Sequence, residues 1–393
     1  MLTPFTHAKI QHHTHAPKSG NAVNTELTAA AFDAAEKEIT SWDGYSETPL
    51  VELNGIARQA GIGRLSYKDE GQRFHLRSFK VCGGAYAILR VLQRELSKKL
   101  GHGVNTADIL AGKYNTYTAE FTFAASTDGN HGRSVAWGAA RCGAQARIYI
   151  GNAVSEGRAE AMRALGAEVV RTEGEYAEAV ARVRKEVKEN GWFAVIDTAS
   201  RGYEKIPGDI LAGYGLIGRE ITQQLSAPPT HIFLQASVGG MASAVSSALV
   251  QHWGDRAPKI VVMETEHAPN LIASARKGEP VELPVEIESI MGGLSCGEVS
   301  TKAWSILSEI AQHFVTVPDD VVKPAMRLLA SQEFGDPKVE AGETGVSGLC
   351  AVLTCAMQAD LRDRLGLSED SHVLVLGTEG VTDPEIYAAI INE

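Results

Sequence analysis

The sequence predicts an α/β protein with two parallel sheets. Between about residues 115 and 197, short apolar runs that are typical of strands alternate with longer runs that are typical of helices. Further strand-like runs return later in the chain, and 44% of its 393 residues are apolar. Alternation at this spacing favours parallel strands joined by right-handed crossovers. A chain of this length is long enough for two domains with a substantial core.

The first forty residues carry four histidines, His7, His12, His13 and His15, in a polar and irregular setting. A metal site is one interpretation of them. No carboxylate or further histidine at helical spacing completes a ligand set, however, and no zinc pattern appears in the chain. We therefore expect a loosely ordered arm here and no metal.

The remaining elements follow from the apolar runs and the turns between them. Strands are expected over residues 50–53, 64–70, 121–125, 146–150, 168–171, 193–197, 231–235, 259–264 and 372–376. Helices are expected over residues 29–40, 134–141, 155–165, 176–189 and 214–225. The four strands from 121 to 197 would form one parallel sheet, and the later strands a second one.

Lys80 stands in an unusual local sequence, between Phe79 and Val81 and just before two glycines. The helical run that begins after the glycines places Lys80 at or near a helix N-terminus. Burial and the helix dipole both favour the uncharged form of an amine there. A neutral amine is a nucleophile that can form a Schiff base. The alternative is a lysine that solvates an ordinary helix start, and this stretch alone leaves both open.

Two polar, glycine-bearing loops, at residues 126–132 and 237–241, each follow a strand-like run and precede a helical run. This arrangement offers backbone N–H groups to an anion. The second loop could instead belong to a dinucleotide-binding domain. It lacks the G-x-G-x-x-G spacing, and only the late Glu264 is available for the ribose, so a nicotinamide site is not favoured.

Lys80, the Ser-x-x-Gly-Asn-His motif at 126–131 and the glycine loop at 237–241, in that order, resemble the fold-type II family of pyridoxal-phosphate enzymes. That family includes threonine dehydratase, cysteine synthase and the tryptophan synthase β subunit. Over roughly residues 45–387 the chain is also similar to the diaminopropionate ammonia-lyases of the family. The resemblance implies two doubly wound sheet domains with the cofactor in the cleft between them. The large domain would comprise 1–114 and 215–393, and the small domain 115–214.

The resemblance also implies how pyridoxal 5′-phosphate is held. Lys80 would form the internal aldimine and later carry protons, the Asn130 amide would bond the 3′-oxygen, and the Thr378 hydroxyl would face the pyridine nitrogen. A neutral hydroxyl does not force that nitrogen to be protonated. The phosphate would be bound by the backbone N–H groups of Val238, Gly239, Gly240 and Met241. Phe79 would also contact the cofactor.

The substrate is expected to bind at the first loop. The resemblance implies that the residues that bind it there are Ser126, Thr127, Asp128, Gly129 and His131. Asp128 and Asp197 match two active-site carboxylates of the diaminopropionate ammonia-lyases, and both are expected to be catalytic. Bases on different faces would let one pocket process both enantiomers. Asp197 could instead cap the loop after its strand.

Three positions depart from the pattern of the diaminopropionate ammonia-lyases. Ser200 and Arg201 stand where Trp-Glu is expected, and Val381 stands where an aspartate is usual. These changes remove carboxylates or an aromatic ring and add a cation. They favour an anionic substrate arm over a cationic one, and they leave open whether Arg201 faces the site or the solvent.

The first hypothesis is therefore a lyase that converts 2,3-diaminopropionate to pyruvate and ammonia via aminoacrylate. The alternative is a dehydratase or ammonia-lyase for serine, threonine, 3-hydroxyaspartate or an anionic analogue. A third hypothesis is a regulatory protein that binds the cofactor without turnover, and the presence of Lys80, Asn130 and Thr378 counts against it.

Composition limits the partners. The net charge of −11 and the absence of a basic block argue against a nucleic-acid partner. The five cysteines form no C-x-x-C and are odd in number, which fits reduced thiols. No apolar run reaches the length of a membrane span and no leader-like segment stands at the N-terminus, so we expect a cytoplasmic protein. The family resemblance implies a homodimer.

Overall fold

The computed structural model describes residues 2–17, 27–127, 129–152, 154–173 and 176–393. Asp128 therefore lies outside the described residues. The strands are β1 (His12–Thr14), β2 (Leu50–Glu52), β3 (Arg64–Asp69), β4 (Thr122–Ser126), β5 (Gln145–Ile150), β6 (Glu168–Arg171), β7 (Phe193–Ala194), β8 (His231–Gln235), β9 (Lys259–Thr265), β10 (His313–Val317) and β11 (His372–Gly377).

The helices alternate with these strands over most of the chain. They are α1 (Thr3–His7), α2 (Ala29–Ile39), α3 (Asn54–Gln59), α4 (Lys80–Leu100), α5 (Thr106–Leu110), α6 (Asn115–Thr118), α7 (Asn130–Arg141), α8 (Glu156–Arg163), α9 (Tyr176–Asn190), α10 (Lys205–Gln224), α11 (Gly240–Trp253), α12 (Asn270–Lys277), α13 (Thr301–Ile310), α14 (Val322–Ser331), α15 (Ser347–Met357), α16 (Ala359–Leu365) and α17 (Pro384–Asn392).

The chain forms two compact units. The first comprises Met1–Phe79 and Gly215–Glu393, and the second comprises Lys80–Tyr214. The sequence-based small domain starts later, at residue 115. The difference arises because α4 packs along α7, and no pattern in the sequence of α4 predicts this packing.

The first unit contains a seven-stranded sheet in the order β1-β10-β9-β8-β11-β3-β2. The five central strands are parallel, and the two edge strands pair antiparallel with their neighbours. Four of the parallel strands, β8, β9, β10 and β11, are mostly apolar and largely buried, as expected for a parallel sheet covered on both faces. β3 differs, because it carries buried polar side chains. β10 was not predicted from the sequence.

The expected loosely ordered arm is wrong for residues 2–17. They form α1, whose Phe5 is buried, and β1, whose His12 stands opposite Val315 of β10. The imidazoles of His12 and His313 lie 3.2 Å apart, Nε2 to Nδ1. Backbone pairing with an otherwise open edge strand orders this segment, and its histidine-rich composition conceals the strand.

The second unit contains a four-stranded parallel sheet in the order β6-β5-β4-β7. All four strands lie where the strand-helix alternation predicts them. β7 is shorter than expected, because the Tyr203 hydroxyl donates to the Ala194 carbonyl at 2.7 Å and accepts from the Ile196 N–H at 3.2 Å. These side-chain bonds end the ladder and turn the chain into a loop that carries Asp197.

Within the first unit, a buried network of charges links residues 48–73 to Glu220 in the last two turns of α10. Glu220 accepts from Lys68 at 2.6 Å and from both terminal nitrogens of Arg73 at 2.6 and 2.8 Å. Arg73 also bonds Glu70, and the Thr48 hydroxyl donates to Glu70 at 2.6 Å. Every charge in this network has an opposite partner, which is the condition under which buried ions are tolerated.

Three further findings concern the described residues as a whole. None of their helices is long and apolar enough to cross a membrane. None of the five cysteines, all of which are described, forms a disulfide. No group of three or more histidine, cysteine, aspartate or glutamate side chains among them could hold a metal ion.

Candidate active site

Lys80 is the first residue of α4, so the predicted position at a helix start is confirmed. The helix begins before Gly83 and Gly84 and not after them. A Cβ atom at Gly83 would clash with the Tyr214 ring, and one at Gly84 would clash with Ser134 Oγ. The two glycines therefore serve close packing within the helix rather than a break in it.

The amine of Lys80 bonds the carboxylate of Asp197, with 2.6 Å between Nζ and Oδ2 and each side chain 20% exposed. Burial alone would raise the pKa of Asp197. The positive charge of Lys80, then that of His131 and the hydrogen bond from Lys80, outweigh it and lower the pKa to about 2. The Lys80 amine also lies 5.9 Å from the centroid of the Tyr214 ring.

The position of Asp197 is fixed by its neighbours rather than by a regular element. It follows the short β7, and the backbone of Val195, two residues earlier, makes two hydrogen bonds. Its N–H donates to the Ala124 carbonyl at 2.8 Å, and its carbonyl lies 2.7 Å from Nε2 of the buried His131. Sequence reasoning named Asp197 and Lys80 separately, and the structure brings them into direct contact.

The hydroxyl of Thr127 bonds backbone N–H groups at the end of the loop that joins β4 to α7. Thr127 Oγ1 accepts from the N–H groups of Gly129 at 3.0 Å and Gly132 at 3.2 Å, so this side chain shapes the loop. Ser126 Oγ is buried and has no hydrogen-bond partner within the described part of the chain, which leaves it available to a ligand. Asn130 is the half-buried first residue of α7.

In the first unit, the predicted anion loop lies at the start of α11. Gly239 caps this helix with φ at +94°, a conformation that strongly favours glycine. The first N–H groups of a helix have no acceptor within it. Those of Gly240 and Met241 therefore meet the requirement for a phosphate. The Val238 carbonyl is occupied by the Ser300 N–H at 3.0 Å.

Thr378 follows β11, the neighbour of β8 in the sheet, and is 2% exposed. Its carbonyl accepts from the N–H of Phe79 at 3.2 Å, which fixes the residue before Lys80 in the chain. Its hydroxyl oxygen lies 3.1 Å from Nε2 of Gln235, the last residue of β8. Gln235 was missed by sequence reasoning, although an amide that ends an otherwise apolar strand is a signal that could have found it.

The segment that leads to Lys80 has a strained backbone. Phe74, His75 and Arg77 all have positive φ, between 49° and 59°. Such conformations cost free energy and persist where the surroundings impose them. Here Arg73 is anchored in the buried charge network, and the Arg77 carbonyl accepts from the N–H of Gly380 at 2.9 Å.

The three departures lie in two places, since Ser200 and Arg201 share one turn and Val381 lies elsewhere in the chain. Ser200 and Tyr203 bond each other's backbone at 2.8 and 3.3 Å, which closes a tight turn. Arg201 lies at the tip of this turn and is exposed, as is Ser200. Val381 is 9% exposed, and its carbonyl accepts from the Arg77 guanidinium at 3.3 Å.

Three features of this α/β chain are those of a class of cofactor enzymes. They are a lysine at a helix start, a glycine-capped helix N-terminus and a hydroxyl at the end of a strand. The family described as pyridoxal-phosphate dependent enzyme matches residues 41–379, and the chain belongs to this family. Its cofactor, pyridoxal 5′-phosphate, carries an aldehyde, a phosphate and a ring nitrogen, and the chain offers an amine, helix N–H groups and a hydroxyl that fit these three groups.

Within the family the chain is similar to the diaminopropionate ammonia-lyases. It is 36% identical over 356 residues to the enzyme of Escherichia coli (strain K12), over 89% of this chain and 88% of that one. It is 35% identical to the enzyme of Salmonella typhimurium (strain LT2), over 88% of each chain. A crystal structure of holo diaminopropionate ammonia-lyase from Escherichia coli matches with a TM-score of 0.89 and 33% identity, over 98% of this chain and 97% of that chain. The predicted fold class is thereby confirmed.

Proposed function

We propose that this protein is a pyridoxal-phosphate dependent ammonia-lyase that converts 2,3-diaminopropionate and water to pyruvate and two molecules of ammonia. The similarity to the Escherichia coli enzyme, 36% over 89% of the chain, supports the reaction. The observation that carries the proposal is the contact of 2.6 Å between Lys80 and Asp197. An amine and a carboxylate at this distance can exchange a proton, which the elimination requires.

Four groups would hold the cofactor. Lys80 would bind the aldehyde, the Asn130 amide the 3′-oxygen, and the Thr378 hydroxyl the ring nitrogen, while the phosphate would take the N–H groups of residues 238–241. Phe79 would contact the cofactor beside Lys80. When bound, pyridoxal phosphate withdraws electrons from the Cα of an amino acid, which acidifies the Cα proton and lets the β-substituent leave.

Lys80 and Asp197 would share the handling of protons. While Lys80 is charged, Asp197 has a pKa of about 2 and is a weak base. When Lys80 loses its charge, the largest influence that lowers this pKa disappears, and burial makes the carboxylate a stronger base. The pair is therefore arranged so that discharge of the amine prepares Asp197 to accept a proton. We propose Asp128, from its sequence motif, as the second base.

The substrate itself would be held by charge and by the loop after β4. The buried Ser126 hydroxyl, which has no hydrogen-bond partner among the described residues, suits the α-carboxylate of an amino acid. Thr127 and Gly129 would keep the loop in shape, and His131 would support Asp197. A carboxylate at the site also suits the β-ammonium group that distinguishes diaminopropionate from serine.

The exposure of Arg201 favours diaminopropionate over an anionic substrate. Its guanidinium belongs to the tip of a tight turn, and the turn is closed by backbone bonds that do not involve it. The cation that the sequence adds is thus exposed to solvent, whereas the Asp197 side chain is only 20% exposed. This removes the main argument for an anionic substrate arm.

We propose further that the protein is a cytoplasmic homodimer. The cysteines, none of which is in a disulfide, fit a reducing compartment. Sedimentation equilibrium of the purified protein tests the dimer, with a mass of about twice 42.0 kDa expected.

The decisive experiment measures pyruvate release from both enantiomers of diaminopropionate, and 2-oxo acid release from serine, threonine and 3-hydroxyaspartate. The proposal expects the highest kcat/KM with diaminopropionate and none detectable with Lys80→Ala. A matched control is Lys113→Ala, because Lys113 also bonds an aspartate, Asp108, at 2.6 Å but is exposed. A higher kcat/KM with serine, threonine or 3-hydroxyaspartate would contradict the proposed substrate.

A further inference from the structure

Gln235 is a buried amide in an apolar strand. It ends β8, is 2% exposed, and follows Ile232, Phe233 and Leu234, none of which is exposed at all. Its Nε2 lies 2.9 Å from the Leu376 carbonyl and 3.1 Å from Thr378 Oγ1, both at the end of the neighbouring strand β11. A glutamine here loses hydration, so its presence needs a reason beyond packing.

The surroundings determine which way the amide points. Besides the Leu376 carbonyl, the Thr344 carbonyl lies 3.4 Å from Nε2. A flipped amide would set its own oxygen against these two carbonyl oxygens, which repel it. The amide oxygen instead lies beside Gly348 of α15, where it is buried and has no hydrogen-bond partner among the residues that the structure describes. Leaving that acceptor unpaired is the cost of directing the NH₂ group at Thr378.

This orientation decides what the Thr378 hydroxyl can do. The NH₂ group has two protons, and the two shorter contacts are to the Leu376 carbonyl and to Thr378 Oγ1. Thr378 Oγ1 therefore accepts one of them, and its own proton must point elsewhere. Among the described residues, the other hydrogen-bond contact of this hydroxyl is the Thr344 carbonyl at 3.5 Å, which is too long for a good O–H···O bond. The hydroxyl is thus held as a donor with its proton still to place.

We infer that Gln235 is a positioning residue for the cofactor, which acts through Thr378 and holds its hydroxyl as a donor to an unprotonated ring nitrogen. The inference rests on the proposed function, because that proposal assigns the ring nitrogen to Thr378. It adds the residue that fixes the direction of the hydrogen bond. A ring nitrogen that accepts a hydrogen bond from this hydroxyl would remain uncharged.

A double-mutant cycle tests whether Gln235 acts through Thr378. The variants are Gln235→Met, Thr378→Val and both together, and the readouts are the dissociation constant for pyridoxal phosphate and the pH dependence of the visible absorbance band. Loss of one hydrogen bond predicts that Gln235→Met weakens cofactor binding roughly three- to tenfold. In the Thr378→Val background, where no hydroxyl remains to orient, the same change should have less than about a twofold effect.

Gln358→Met is the matched control. Nε2 of Gln358 also donates to two backbone carbonyls, those of Phe5 at 3.1 Å and Ala8 at 2.9 Å, but contacts no predicted site residue. The affinity of the Gln358→Met protein for pyridoxal phosphate should stay at the wild-type value. A loss with Gln235→Met that is equal in both backgrounds, or no loss when Thr378 is intact, would overturn the inference.

Two further arms keep the test decisive. If Gln235→Met does not fold, the nearly isosteric Gln235→Glu replaces it. An ionised carboxylate accepts where the amide donates, so affinity should fall most at high pH, and a fall independent of pH would overturn the inference. Cofactor binding by the wild-type protein is measured without substrate. Wild-type protein that binds the cofactor but releases no pyruvate from diaminopropionate would refute the proposed function and leave this test of Gln235 intact.

Discussion

Replacing Asp197 by asparagine should move the pH at which the protein captures pyridoxal phosphate. The amine of Lys80 must be uncharged to attack the aldehyde, and the carboxylate 2.6 Å away favours its charged form. Asparagine keeps the shape of the side chain and removes its charge. The uncharged amine should therefore be available at lower pH, and the midpoint of the pH profile for capture should move down.

The size of this shift in the midpoint can be worked out from the pKa of the Asp197 carboxylate. Its pKa falls from 3.8 to about 2 although burial acts in the opposite direction. The interaction with its surroundings is thus worth at least about 2 kcal/mol, at about 1.4 kcal/mol for each pH unit. Lys80 is the largest contributor to that lowering, and an interaction between two groups acts equally on both. We expect the midpoint to fall by about one pH unit or more.

The assay mixes cofactor-free protein with pyridoxal phosphate at a series of pH values and follows the visible absorbance band. Asp108→Asn is the control, since Asp108 bonds the exposed Lys113 at the same distance of 2.6 Å in the same unit. Its profile should match that of the wild-type protein. A midpoint for Asp197→Asn that stays in place or moves to higher pH would refute the reasoning about this pair.

Three other substitutions test separate parts of the account. Glu220→Gln leaves Lys68 and Arg73 buried with too little negative charge, so the free energy of unfolding in a denaturant titration should fall by about 3–5 kcal/mol; a loss below about 1 kcal/mol would mean that the network is dispensable. Arg201→Glu should change the ratio of kcat/KM for diaminopropionate and an anionic analogue less than threefold, because surface changes are usually within about 0.5 kcal/mol, and a larger change would place Arg201 at the site. Asp128→Asn should keep cofactor affinity and lower kcat, and loss of the cofactor instead would make the residue structural.

Much of the fold could be predicted because its strands are buried on both faces. Residues 231–235 contain the apolar run Ile232–Leu234 and have no exposed position, which a sequence pattern detects directly. β1 was not predicted because it is a short edge strand of histidines and threonine whose order comes from its partner strand. β10 is buried throughout and mostly apolar, so the same pattern could have found it. The end of β7 escaped for a reason similar to that of β1, since the Tyr203 hydroxyl that terminates it lies nine residues away from Ala194.

The candidate site was predictable where a motif surrounds the residue. Lys80 beside its glycines, Gly239 at a helix start and Thr378 after a strand each carry a local signal. The contact between Lys80 and Asp197 joins residues 117 positions apart, and no local pattern encodes it. Gln235 acts on Thr378 across two neighbouring strands, so its role depends on the strand order of the sheet.

Reduction of the cofactor-loaded protein with borohydride tests the central claim most directly, because it fixes pyridoxal phosphate covalently to the amine that holds it. Peptide mapping by mass spectrometry then locates the modified lysine. We expect modification of Lys80 and no band in the visible spectrum of Lys80→Ala. Modification of a different lysine, or a normal visible band in Lys80→Ala, would contradict it.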